Sequence, residues 1–242
     1  MTTSPSKRVA IVQSNYIPWK GYFDLINLVD DFVLFDDVQY TRRDWRNRNV
    51  IKTPSGLQWL TIPVEVKGKY TQLIRETRIA DSRWGKQHWT TLVHNYSRAK
   101  CFKQYRELFE PLYLESKHVS LSQSNRAFIE AICSVLGIKT RLTWSWEHPL
   151  PEGKNERLLA ICKSVNADTY VSGPSAKGYL DEGLFRSEGI KVEWMSYDGY
   201  LEYRQLHGGF EHGVTALDLI FNEGHEAPFY MRSFHRREAS VG

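Results

Sequence analysis

The sequence predicts a three-layer α/β domain with a mainly parallel sheet and an inserted antiparallel β-hairpin. Three observations carry this. Short apolar runs at 9–12, 32–35, 138–146, 169–172 and 190–195 alternate with segments of helical periodicity. Several of these runs end in polar loops, as strands of open α/β sheets do where they release a binding site. Of the 242 residues, 41% are hydrophobic and 25% charged, which suits one domain built on a sizeable core.

Taken in order, Val9, Ala10, Ile11 and Val12 read as a buried strand that ends in Gln13, Ser14, Asn15 and Tyr16. Pro18 and Gly21 punctuate a turn, and Tyr22, Phe23, Leu25, Ile26 and Val29 give the next helix an apolar face. The strand 32–35 follows at once, completing a βαβ unit of the kind that builds parallel sheets. Pro54 and Gly56 then supply a tight turn between two strands, so residues of about 49–66 form the inserted hairpin, suited to act as a flap.

Residues 84–114 read as helical, with Trp89, Leu92, Val93 and Tyr96 on one period and Pro111 as a bound. Ser122 or Ser124 can cap a helix through Leu136, which Gly137 stops in left-handed geometry. Strand 138–146, helix 155–165, strand 169–172, a loop at 173–179, a helix to Ser187, strand 190–195 and a helix at 215–221 complete the alternation. The expected organisation is a single domain over 1–242 with a flexible tail at 236–242.

Composition excludes several function classes. No apolar run approaches the roughly 20 residues that span a bilayer, and the first seven residues lack the apolar core of a secretion signal, so a cytoplasmic location is expected. The three cysteines are too few and too scattered for a disulfide framework or a zinc site. No metal-binding histidine spacing, nucleophile elbow, dinucleotide fingerprint or Walker loop is present, and no metal site is expected. A net charge of +4 favours anionic ligands.

The polar loops supply the candidate chemistry. Gln13 and Asn15 can read hydroxyls or amides, Tyr16 can flank a sugar or base, and Lys20 lies where a phosphate would meet a helix start. In the string 36–49, Arg43 and Arg48 suit a diphosphate, Tyr40 and Trp45 suit stacking, and Gln39 and Asn47 add hydrogen bonds. Asp37, and after it Asp36, are the candidate general bases; the competing reading has both brace neighbouring arginines. Ser172, Gly173, Ser175, Lys177 and Tyr179 form a third binding loop that can hold phosphate through backbone amides and an ammonium.

The string from Val9 to Phe23, the Asp36 to Asn49 segment, Tyr170-Val171-Ser172-Gly173, Tyr179-Leu180 and the late run from Thr215 to Gly224 resemble the WbqC-like family over nearly the whole chain. The resemblance implies work on nucleotide-linked amino sugars for O-antigen and other surface polysaccharides. It suggests a transferase that attaches an acyl or aminoacyl group to the sugar amine, with acyl-CoA, aminoacyl-tRNA, or a free acid with ATP and magnesium as donor. Nucleic acid enters only as a tRNA donor. The architecture is also similar to that of nucleotidylyl-transferase-like enzymes, although Trp19-Lys20-Gly21-Tyr22 stands where they carry HxGH. The alternatives are an ATP-dependent amide-forming ligase on that scaffold and a non-catalytic binding protein for charged carbohydrate or RNA.

Overall fold

β-Branched and aromatic residues set the strands, and the helices between them carry the apolar faces that cover the sheet. The computed structural model describes residues 6–238. In chain order it contains β1 (Arg8–Val12), α1 (Lys20–Asn27), β2 (Asp31–Leu34), β3 (Arg48–Thr53), β4 (Gly56–Thr61), α2 (Trp84–Tyr96), α3 (Phe102–Leu114) and α4 (Leu121–Leu136). There follow β5 (Arg141–Trp144), α5 (Lys154–Ser164), β6 (Thr169–Ser172), α6 (Glu182–Ser187), β7 (Lys191–Trp194), α7 (Ala216–Glu223) and α8 (Arg232–Glu238).

Five strands form one parallel sheet in the order β5-β2-β1-β6-β7, with Val9 opposite Asp31 and Val12 opposite Leu34 across its centre. Because side chains alternate across a strand, the sheet feeds two cores. Ala10, Phe32, Leu34 and Val171 pack with the apolar faces of α1, α4 and α7. Val9, Ile11, Val33 and Tyr170 pack with Leu158, Ile161 and Cys162 of α5 and Phe185 of α6. Two helical layers therefore enclose the sheet, as the alternation predicts.

The hairpin β3-β4 stands apart from this sheet and is antiparallel, with Thr53 opposite Gly56 at its turn. It rests on the helical layer. The Tyr96 hydroxyl accepts a hydrogen bond from the Lys52 amide at 3.0 Å, and the Val50 carbonyl accepts one from the Thr215 amide at 2.9 Å. Its placement against α2 and α7 differs from the expected flap.

Other differences are local. The expected helix at 84–114 is two helices, and Pro111 lies inside the second rather than bounding it. Ser120, not Ser122 or Ser124, occupies the position before α4, while Gly137 ends that helix at a φ of 71°. The strand expected at 138–146 shortens to four residues before a single 3-10 turn at 145–147. Among the described residues no helix is long and apolar enough to cross a membrane. The expected tail overlaps the end of α8, and beyond residue 238 it lies outside the described residues.

Candidate functional site

From β1 the chain steps through α1 to β2 on one side, and later returns through β6 to the other. This reversal is a topological switch point, where the loops leaving two neighbouring strands diverge and open a crevice. A cleft of about 1080 Å³ lies there. Gln13 and Asn15 enter it after β1, Val38 and Gln39 after β2, and Ser172, Gly173, Ser175 and Tyr179 at the end of β6. The start of α5 closes it with Gly153, Lys154 and Arg157.

The lining has a marked electrostatic bias. Arg46, Lys154 and Arg157 bring three cationic side chains, and no aspartate or glutamate lines the cleft among the described residues. Trp19, Tyr22, Tyr179 and Tyr197 add aromatic surface. Cations beside ring faces with neutral hydrogen-bonders between them suit an anionic ligand that carries a planar or sugar ring.

Local contacts hold these groups in place. The Lys154 ammonium lies 3.3 Å from the centre of the Tyr179 ring, and Asn155 ties the same helix start to the β6 loop. Its Nδ2 donates to the Tyr179 carbonyl at 3.2 Å, and its Oδ1 accepts from the Asp181 amide at 3.1 Å. Arg157 Nε donates to the Pro151 carbonyl. Gly153 adopts a φ of 96°, where only glycine is comfortable, and the Glu156 side chain folds back over it at the positive end of α5.

On the opposite wall, the Tyr22 hydroxyl donates to the Gln13 carbonyl at 3.0 Å. Burial, with the Asp24 carboxylate adding to it, pushes the Tyr197 phenol up to about 12. Trp19 folds over Gly21 so closely that a Cβ there would lie 2.3 Å from the indole. Arg46 donates to Asn15 Oδ1, which fixes both cleft-facing side chains.

The structure thus brings together seven of the residues that the loops suggested, namely Gln13, Asn15, Gln39, Ser172, Gly173, Ser175 and Tyr179. It places the others elsewhere. Tyr16 is fully buried, 2.9 Å from His88 Nδ1 and in edge contact with Trp84 and Phe128. Tyr40 is buried, and Asn47 is buried and donates to the Ile62 carbonyl. Lys20 is enclosed by the rings of Tyr200, Tyr203 and Phe210, donates to the Leu201 carbonyl, and is pulled down to about 8 chiefly by burial. Lys177 lies at the surface, 5.6 Å from the Trp194 ring centre.

Asp36 and Asp37 have partners of their own and do not line the cleft. Asp36 accepts from the Ser14 amide at 2.8 Å and from the Ser122 hydroxyl, while burial pushes its carboxyl up. Asp37 accepts from the Ser145 hydroxyl at 2.6 Å and pairs with Arg75, an arginine outside the expected cluster. Both carboxylates therefore act in the geometry as braces for the loop after β2. Arg43 and Trp45 lie on an outer face beside the hairpin, and Arg48, half-buried, opens β3 next to the Trp59 ring.

Sequence reasoning counted Arg46 only among the arginines that Asp36 and Asp37 would brace, and it missed Lys154 and Arg157. The available signal was their place directly after Gly153, at the start of a helix in an alternating α/β chain.

No solved structure matches the chain. An uncharacterized protein of Mycobacterium tuberculosis, Rv1507c, is 57% identical over 226 residues, covering 93% of this chain and 98% of the relative. A family model for the WbqC-like protein family matches residues 13–230, a span that includes every polar residue lining the cleft, and the chain belongs to that family.

Proposed function

We propose that the cleft binds a nucleotide-linked amino sugar and that the protein transfers an acyl or aminoacyl group to the sugar amine, as a step in surface polysaccharide (O-antigen) assembly. The observation that carries this reading is a switch-point cleft lined by three cations and six aromatic rings and, among the described residues, by no carboxylate. Arg46, Lys154 and Arg157 would hold the diphosphate, with guanidinium forks giving directional contacts that an ammonium alone lacks. Trp19, Tyr179 or Tyr197 would cover base or sugar, and Gln13, Asn15 and Ser172 would read sugar hydroxyls.

The same charge bias supports the chemistry of amide formation. A positive environment disfavours an ammonium, so a sugar amine held beside three cations presents its neutral, nucleophilic form at a lower pH than in water. It also favours the negative oxygen that develops when the amine adds to a carbonyl. Asp36 and Asp37, held by Ser14, Ser122, Ser145 and Arg75 away from the cleft lining, brace the loop after β2 in this reading and take no proton from the amine.

The test is calorimetric titration with UDP- and dTDP-linked amino sugars, followed by mass spectrometry of an incubation with acyl-CoA or aminoacyl-tRNA. Binding that Arg157→Gln weakens, with an acylated sugar as product, supports the reading. Saturable binding without product from any donor class would leave a binding protein in its place.

A further inference from the structure

Outside the cleft, the chain exposes an unusual combination of rings and guanidinium groups. Trp45, Trp59 and Tyr70 are 43%, 44% and 74% exposed. The Arg48 guanidinium lies 4.1 Å from the Trp59 ring centre, and the Trp45 and Trp59 rings sit 5.3 Å apart at 38°. Arg42 lies 5.7 Å from the Tyr70 ring centre. Arg48 donates to the carbonyl of Arg43, the residue that follows Arg42, so a short stretch of backbone connects the two ring–arginine pairs.

This face is cationic, because Arg42, Arg43 and Arg48 outnumber the nearby Asp44, whose carboxylate accepts from the Thr41 hydroxyl and the Trp45 amide. It is also tethered to the cleft at two points. Trp45 is followed by cleft-lining Arg46, and cleft-lining Gln39 donates to the Tyr70 carbonyl at 2.7 Å.

We propose that this face binds the single-stranded end of an RNA that carries an aminoacyl group, so that the donor for the cleft is an aminoacylated RNA. Exposed rings offer stacking surfaces to bases of any sequence, and the adjoining guanidinium groups reach phosphates on either side. A neutral sugar chain would use the rings and leave the charge of Arg42, Arg43 and Arg48 unmatched.

The donor assignment rests on the transfer reading of the cleft. In the step it implies, the neutral sugar amine attacks the carbonyl carbon of the ester that joins the aminoacyl group to the terminal ribose. The C–N amide bond forms and the ester C–O bond breaks. Its electron pair leaves on the ribose oxygen, which takes up the proton lost by the amine and becomes a hydroxyl.

The test uses the full chain, deacylated tRNA and a short fluorescein-labelled single-stranded RNA, read by anisotropy. Trp59→Ala and Tyr70→Ala are each expected to weaken RNA binding roughly 5- to 100-fold and to leave amino-sugar nucleotide binding unchanged. RNA affinity should fall as salt is raised. Arg157→Gln should do the reverse, weakening the nucleotide sugar and sparing RNA.

No RNA binding by a chain that still binds the nucleotide sugar would overturn the proposal. So would equal RNA affinity in parent and both ring variants, or displacement by dextran sulfate that is indifferent to Trp59→Ala, since either marks a charge-only or polysaccharide surface. Ring-dependent RNA binding without any binding of nucleotide sugars would support the face and defeat the cleft reading instead. Thermal unfolding of both variants checks that loss of binding is not loss of fold.

Discussion

The cleft and the segment 36–49 differ in how they are assembled. The segment concentrates arginines, carboxylates and aromatics in one stretch of chain, yet most of those groups satisfy each other, brace the loop after β2 or face outward beside the hairpin. The cleft takes a few residues from each of several elements, and its cations Lys154 and Arg157 arrive more than a hundred positions after Arg46. Local density of functional side chains marks a network. Convergence at a topological switch point marks a cavity.

The sharpest way to break this comparison is to remove cations from each region in turn. Lys154→Gln combined with Arg157→Gln should weaken binding of an amino-sugar nucleotide by more than about a hundredfold, because each charged contact to phosphate contributes roughly 1.5–3 kcal/mol. Arg43→Gln should leave that affinity within about twofold. Calorimetry on both variants decides, and a comparable loss from Arg43→Gln would dissolve the distinction.

A second test separates the hairpin-bearing side from the cleft by pH. His88 lies beneath the hairpin, with Nε2 donating to the Thr61 carbonyl at 3.2 Å and Nδ1 facing the Tyr16 hydroxyl. Burial pulls it down from its ordinary 6.5 to about 4. The folded-state value is depressed, so the unfolded chain takes up the proton first as pH falls. Stability should be full above pH 6.5 and lose about 3 kcal/mol on descending to pH 4. Denaturant titrations across that window check this, and His88→Gln should flatten the slope.

Asp37 gives a smaller and more discriminating effect. Asp37→Asn removes a half-exposed ion pair with Arg75 and keeps the contact to Ser145, so it should cost about 1–2 kcal/mol and leave single-turnover rates unchanged. Unchanged stability with a hundredfold slower turnover would instead make Asp37 the proton acceptor. Smallest of all, Tyr179→Leu removes the ring beside Lys154 and should weaken nucleotide-sugar binding only a few-fold.

Much of the fold was legible in the sequence because apolar period and turn residues are local properties. The strand at 169–172, the βαβ opening and the Gly137 stop all rest on such signals. Side-chain environment is not local. Asp36 becomes a buried acceptor because Ser122 reaches it from 86 positions away, and Tyr16 enters the core because α2 and α4 close over it. The cleft loops after β1 and β6 were readable from their polar residues, whereas the α5 wall was not, since only the strand order brings it opposite them.

The indole of Trp19 lies over Gly21, at the place where α1 begins under the cleft. A methyl group at position 21 would displace that indole, which lines the cavity and packs against the rings of Tyr197 and Tyr200. Gly21 therefore acts as a gauge on the cleft: a single carbon added to the chain would reshape one aromatic wall without touching a polar side chain.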